Sequence, residues 1–209
     1  MNSYQEQSIY PNLVLLLSGK RKCGKDYVSN KLAEYFKNNE KVCLKLLTIS
    51  APLKKAYAKE NNLDYEQLLD SSEYKEIYRR KMIEWSDLKR EVDPGYFCRL
   101  AIENLFSTLY ETKETNGKFF IILVTDTRRK TDLEFFSKSF TNRVKTIRVE
   151  ASESTRIARN WIYTKGVDDV RSECDLDDVK YFDFKIQNNN YSEITSGLNT
   201  LIDFIQNLI

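Results

Sequence analysis

Hydrophobic positions along the chain alternate between short continuous runs and longer amphipathic stretches. Leu13-Val14-Leu15-Leu16-Leu17 is apolar throughout, as a strand buried on both faces requires. From Asp26 to about Asn38 the residues Val28, Leu32, Tyr35 and Phe36 return at helical spacing. Val42 to Ile49 reads as a second strand, Phe119 to Val124 as a third, Val144 to Val149 as a fourth and Phe184 to Gln187 as a short last one. Asp70 and Glu73 have the spacing of a capping box that opens a helix through Leu88, with Tyr74, Ile77, Tyr78, Trp85 and Leu88 on one stripe. Asp93-Pro94 predicts the next helix start, Asp as N-cap and Pro at the first helical position, running to about Tyr110. Ser152 opens a helix through Trp161, and Ile194, Leu198, Leu201, Ile202, Ile205 and Leu208 mark a closing amphipathic helix. Strands alternating with helices predict an α/β three-layer sandwich with a mostly parallel central sheet. Ligands of such sheets bind beyond the carboxyl ends of the strands.

Composition narrows the chemistry. The 209 residues carry 33 Lys+Arg against 31 Asp+Glu, a formal net charge of +2, and Pro and Gly are scarce. One domain over 1–209 is expected, with no linker or repeat. Histidine is absent from the sequence. That excludes Ser-His-Asp triads, Cys-His dyads and His-ligated zinc. Cys23, Cys43, Cys98 and Cys174 form no C-x-x-C pair, so free thiols in a reducing compartment are expected. The Leu13–Leu17 run is too short for a signal-peptide core or a membrane span, and the end Gln206-Asn207-Leu208-Ile209 is not a peroxisomal signal. The expectation is a cytosolic protein without a membrane partner. The near-neutral charge and the lack of a continuous basic stripe argue against nucleic-acid binding.

Directly after the first strand comes Ser18-Gly19-Lys20-Arg21-Lys22-Cys23-Gly24-Lys25-Asp26, with a helix following. The frame G-x-x-x-x-G-K between strand and helix is that of a phosphate-binding loop. Gly19 and Gly24 permit a tight backbone whose N–H groups face phosphate oxygens, and the helix N-terminus adds positive potential. Lys25 can neutralise β- and γ-phosphate charge. Asp26 stands where a Ser or Thr usually meets Mg²⁺; it can hold the ion directly or through water, or cap the helix. A basic surface turn is the bland alternative.

Three further clusters join the loop. The third strand ends in Thr125-Asp126-Thr127-Arg128-Arg129, where Asp126 resembles the acidic residue that orients Mg²⁺. Adjacent arginines there suit bidentate phosphate contacts, and the alternative is a solvated turn with a capping Asp. Arg156 and Arg159 share a helix face ahead of the polar, acidic stretch 164–177, which reads as a mobile lid. Lys75 and Arg90 are candidates for acceptor contacts among the charges of the helix after Asp70. Trp85 and Trp161 read as core. These groups include no base suited to neutral pH, which favours an acceptor oxygen that is already ionised: a phosphate. The problem is then to bring two polyanions together. This points to a small kinase acting on a phosphate group.

The segments L-L-S-G-K-R-K-C-G-K-D-Y-V, A-P-L-K-K-A-Y-A-K-E, L-L-D-S-S-E-Y-K-E, D-P-G-Y-F-C-R, V-T-D-T-R-R-K-T-D and G-V-D-D-V-R-S-E-C-D-L-D resemble, in order and from about Leu13 to Ile209, the animal-type phosphomevalonate kinase family. Asp26 belongs to that family's pattern. The resemblance implies ATP-dependent phosphorylation of (R)-5-phosphomevalonate to the diphosphate, a nucleoside-monophosphate-kinase-like fold, Mg²⁺, and a monomer acting on small molecules. It implies that Gly19, Lys20, Arg21, Lys22, Cys23, Gly24, Lys25 and Asp26 bind ATP phosphates. Lys22, Lys25, Asp26, Arg128 and Arg129 would serve transfer, with Asp26 and Asp126 near the metal. Arg156 and Arg159 would belong to a lid over about 152–180 and face the nucleotide. Lys75, Arg90, Arg128, Arg129, Arg148 and Asn188 would hold the acceptor, with acceptor helices over about 52–110. Cys23, Thr48 and Lys165 depart from the family's expected Ser, Arg and Pro. A (deoxy)nucleoside monophosphate kinase, sharing fold, loop and lid, is the alternative.

Overall fold

The computed structural model describes residues 10–69 and 73–209. Strand β1, Leu13–Ser18, is buried at every position and runs through the loop 19–24 into helix α1, Lys25–Phe36. Then follow β2, Val42–Leu47, and three helices, α2 (Ser50–Asn61), α3 (Tyr65–Leu69) and α4 (Glu73–Val92). Helix α5, Tyr96–Thr112, leads into β3, Phe119–Thr127, and α6, Lys130–Ser139, into β4, Val144–Glu150. Two short helices, α7 (Glu153–Ala158) and α8 (Arg171–Cys174), precede β5, Phe184–Gln187, and the closing helix α9, Tyr191–Gln206.

The five strands pair in the order β2-β3-β1-β4-β5, all parallel. The apolar run of β1 follows from this central place, because alternate residues face opposite helical layers. Leu13, Leu15 and Leu17 join Val28, Leu32 and Phe36 of α1 and Ile194, Leu198, Leu201 and Ile205 of α9. Val14 and Leu16 meet Phe97, Cys98 and Ala101 of α5 and Phe136 of α6 on the other face. A third cluster, Tyr57, Ala58, Leu68 and Met82, ties α2, α3 and α4 together at the edge of the second layer. All of β1 is fully buried, so truncating Leu15 to Ala would cost about 2–5 kcal/mol.

The predicted elements are present, with four differences. Asp70 of the capping box lies outside the described residues. On α4, Ile77 and Leu88 face solvent at 69% and 64% exposure, and the buried positions are Met82 and Ser86. Helix α5 begins at Tyr96, two residues later than Asp93-Pro94 predicts. Asp93 instead closes a turn, its Oδ1 accepting from Gly95 N at 3.2 Å and its carbonyl from Tyr96 N at 3.1 Å. The helix at Ser152 is capped by that hydroxyl as expected but ends at Ala158, and Trp161 lies beyond it, outside the core clusters. Helix α6, with Phe136 fully buried, was not expected at all.

Candidate functional site at the carboxyl ends of the strands

The loop 19–24 needs its glycines. Gly24 has φ +98°, and a Cβ there would overlap the Asn188 side-chain amide. Gly19 has φ +151°, with a Cβ placed 2.5 Å from the Val149 carbonyl oxygen and 2.6 Å from Cys23 Sγ. Lys25 opens α1 and is only 8% exposed, its Nζ donating to Gly19 O at 2.6 Å and Lys20 O at 3.1 Å. Burial, and next the nearby Arg128 guanidinium, push its pKa down to about 8.

The loop is gripped from behind by three residues that the sequence had assigned to ligands. Asn188 Nδ2 donates to Cys23 O at 2.7 Å. Arg159 donates to the carbonyls of Cys23 and Lys22 at 3.2 and 3.3 Å and, through Nη2, to Asn188 O at 2.8 Å. Arg156 Nε reaches Arg21 O at 2.8 Å, and its guanidinium lies 3.9 Å from the Trp161 ring centroid. Of the three, Arg159 alone also lines the cavity in front of the loop.

That cavity measures about 800 Å³. Lys22, Lys25 and Asp26 form one end, Thr48, Thr125 and Asp126 the floor at the strand termini, and α2 and α4 the far wall. Lys75 and Arg90, candidates for acceptor contacts from the sequence, stand in that wall. Lys54 and Arg79 stand there too, and spacing alone had not singled them out; Lys54 follows Ala51-Pro52-Leu53 at the start of α2, inside one of the segments that carry the family resemblance. Its pKa falls to about 8, through burial first and the charge of Lys75 next. Among the described residues that line the cavity, ten are cationic and five are acidic, and none is aromatic.

Asp126 accepts from Ile49 N at 2.7 Å through Oδ1 and from Ser50 N at 2.9 Å through Oδ2, so its carboxylate caps α2. Asp26, on the first turn of α1, is exposed. Among the described residues no group of three or more His, Cys, Asp or Glu is placed to hold a metal ion. The donor set therefore fits a magnesium ion held by one or two carboxylates and by ligand phosphates, and does not fit an all-protein cage.

The two arginines after β3 do not form the solvated turn that was the alternative: Arg129 is buried and Arg128 half-buried, each beside a carboxylate. Arg129 is 5% exposed and pairs with Asp87 of α4. Arg128 pairs with Glu173 of α8, and burial holds its pKa below the ordinary arginine value. Both backbone N–H groups donate to Asp132 Oδ2 at 3.0 Å.

Segment 164–177, expected as a mobile polar lid, carries α8, and its acids lie on the cations of the loop. Asp168 accepts from Arg21 Nη1 at 2.8 Å, from Trp161 Nε1 at 3.0 Å and from Thr164 N at 2.9 Å. Glu173 accepts from Arg21 N at 3.2 Å, and Lys20 pairs with Asp177. Arg148 also meets Asp177, at 3.1 Å, and stacks 5.8 Å from the Phe182 ring. Lys20, Cys23, Arg148, Arg156 and Asn188 do not line the cavity. Cys23 is 1% exposed within the loop. Among the described residues no helix is long and apolar enough to cross a membrane.

Comparison with known proteins adds a family to this geometry. The family model described as phosphomevalonate kinase matches residues 17–142. A Drosophila melanogaster protein named phosphomevalonate kinase is 42% identical over 195 residues, which cover 92% of this chain and 96% of that protein. A gluconokinase from Sinorhizobium meliloti is similar in structure, with a TM-score of 0.47 and 10% identity over 94% of this chain and 95% of its own. A shikimate kinase from Bacteroides thetaiotaomicron gives a TM-score of 0.43 and 12% identity over 93% and 98%.

Proposed function

The chain belongs to the phosphomevalonate kinase family, and on that premise we propose that it transfers the γ-phosphoryl group of ATP to (R)-5-phosphomevalonate, a step of the mevalonate pathway. An oxygen of the acceptor phosphate attacks the γ-phosphorus, and ADP leaves with the electron pair of the broken P–O bond. The observation that carries this reading is the cationic far wall of the cavity: Lys54, Lys75, Arg79 and Arg90 face a phosphate loop across about 800 Å³.

Each group then has a task. The N–H groups of the loop and Lys25 receive the nucleotide phosphates, and Lys25 offsets charge on the migrating group. Lys22 and Arg159 lie at the same end and are assigned to ATP. Arg128 and Arg129 also line the cavity and are assigned to the phosphoryl group in flight. Lys54, Lys75, Arg79 and Arg90 are assigned to the acceptor's phosphate and carboxylate, which Arg can grip in bidentate fashion. Asp26 and, through water, Asp126 would hold Mg²⁺. When bound, that ion neutralises β- and γ-phosphate oxygens and helps align them. The acceptor part is taken to be helices within about 52–110 and the lid about 152–180, in one domain.

A nucleobase acceptor is disfavoured by the same wall, because among the described residues no aromatic ring lines it for stacking. The free thiols of Cys23, Cys43, Cys98 and Cys174 support a reducing, cytosolic setting; the protein is taken to be a monomer. The test is coupled ADP release with Mg-ATP, comparing 5-phosphomevalonate with mevalonate, AMP, CMP, UMP and dTMP. Turnover on phosphomevalonate alone is expected. Turnover on a nucleotide would keep the kinase and discard the acceptor.

A further inference from the structure

Asp132 is 1% exposed, lies outside every ligand role assigned above, and gathers donors from three elements. Its Oδ1 accepts from Arg90 Nη1 of α4 at 2.7 Å and from the Cys98 thiol of α5 at 3.4 Å. Its Oδ2 accepts from the backbone N–H groups of Arg128 and Arg129, each at 3.0 Å. The guanidinium of Arg90 is also backed by the Phe97 ring, 5.3 Å from the centroid. One buried carboxylate thus holds the guanidinium of Arg90 and the backbone of Arg128 and Arg129, three cations of the cavity wall.

We propose that Asp132 is a positioning residue for the transfer: it fixes the Arg90 guanidinium against the acceptor end of the cavity and sets the backbone from which Arg128 and Arg129 project. The proposal rests on the reading of that end as the acceptor site. A plain helix-capping role explains less. Asp132 is the third residue of α6, and capping needs only the Arg129 N–H, a bond that an asparagine oxygen accepts as well. The bond to Arg90, 42 residues away, and the bond to Arg128 N are surplus to a cap. An amide at position 132 has one accepting oxygen, so either Arg90 or the backbone pair loses its acceptor. Charge matters as well as shape, because a buried guanidinium without its carboxylate is left uncompensated.

The experiment pairs Asp132→Asn with Arg90→Lys in a double-mutant cycle, reading KM for acceptor and ATP separately. We expect Asp132→Asn to raise the acceptor KM about tenfold or more while the ATP KM moves less than about twofold. In the Arg90→Lys background the same change should cost less than about threefold more. Equal rises in both KM values, full additivity of the cycle, or a lowered melting temperature with unchanged kinetics would each overturn the proposal. A second measurement covers an Asp132→Asn chain that fails to fold. In the unaltered ¹⁵N-labelled protein, the Arg90 guanidinium protons should be separately resolved by hindered rotation; free rotation would overturn the proposal without any variant. That spectrum needs no turnover. If the unaltered enzyme phosphorylates only a different acceptor, the functional reading falls and the cycle is decided on that acceptor.

Discussion

The Lys25 ammonium donates to the carbonyl of Gly19 at 2.6 Å, held against the loop whose phosphates it would meet. It is buried at a cost, as its lowered pKa of about 8 records. Lys25→Met should therefore leave the fold intact, with thermal melting little changed, and reduce kcat by about 10²–10³-fold. A coupled assay beside a melting curve checks both. Near-normal turnover would remove Lys25 from the mechanism.

The same shift predicts a proton signature. A base whose pKa falls from 10.5 to about 8 on folding destabilises the folded chain fully below about pH 8, and the cost is relieved as pH rises from there towards 10.5. Phosphate beside Lys25 acts in the opposite sense and raises its pKa. Binding of ATP alone near pH 9 should thus take up protons, seen by calorimetry in buffers of different ionisation enthalpy. The uptake should shrink near pH 6.5, well below the folded pKa, and Lys25→Met should abolish most of it. Uptake of equal size in that variant would point to another group.

What the sequence disclosed was whatever is local. A central strand buried on both faces has to be an unbroken apolar run, so Leu13–Leu17 announces itself, and the loop between β1 and α1 carries its glycines at fixed spacing. The rest of the site depends on contacts far apart in the chain. Nothing near Arg129 reveals that Asp87, 42 positions earlier, lies beside it and helps bury it. Asp126 resembles a metal-orienting residue in sequence, and its bonds to Ile49 and Ser50 appear only when β2 and β3 stand side by side. Arg156 and Asn188 were expected at ligands because their chemistry suits anions, yet backbone carbonyls of the loop take their donors.

Lys54 offers a prediction specific to the acceptor. It is held with its pKa at about 8 by burial and by Lys75, a crowding of like charges that an anion between them would relieve. Lys54→Met should raise the acceptor KM about tenfold or more and leave the ATP KM within about twofold. Steady-state kinetics with each substrate varied in turn checks it. A rise confined to ATP would move Lys54 to the other end of the cavity.

The acids of segment 164–177 are expected to order that segment over the loop. Asp168, 4% exposed at its side chain, joins Arg21, Trp161 and Thr164. Asp168→Asn leaves Arg21 without its counter-charge and should cost about 1–3 kcal/mol of stability. Hydrogen exchange should quicken across residues 160–178 more than in β1 or β3. Uniform quickening throughout the chain would show that the contact belongs to global stability and not to the lid.

Gly24 and Asn188 separate two ways of losing the loop. A Cβ at Gly24 would overlap the Asn188 amide, and the φ of +98° is itself unfavourable to any other residue. Gly24→Ala therefore combines strain with the loss of the Asn188 bond to Cys23 O, and ATP binding should fall by about 100-fold or more. Asn188→Ala removes the bond and leaves the backbone its freedom. Arg159 still holds Cys23 O at 3.2 Å, so the loss of ATP affinity should stay near tenfold. In the double variant the clash has vanished with its partner. If overlap is the larger part of the Gly24→Ala defect, ATP affinity should recover from the Gly24→Ala level towards that of Asn188→Ala. If left-handed strain is the larger part, no recovery will be seen. Titration of ATP against the three proteins distinguishes the two.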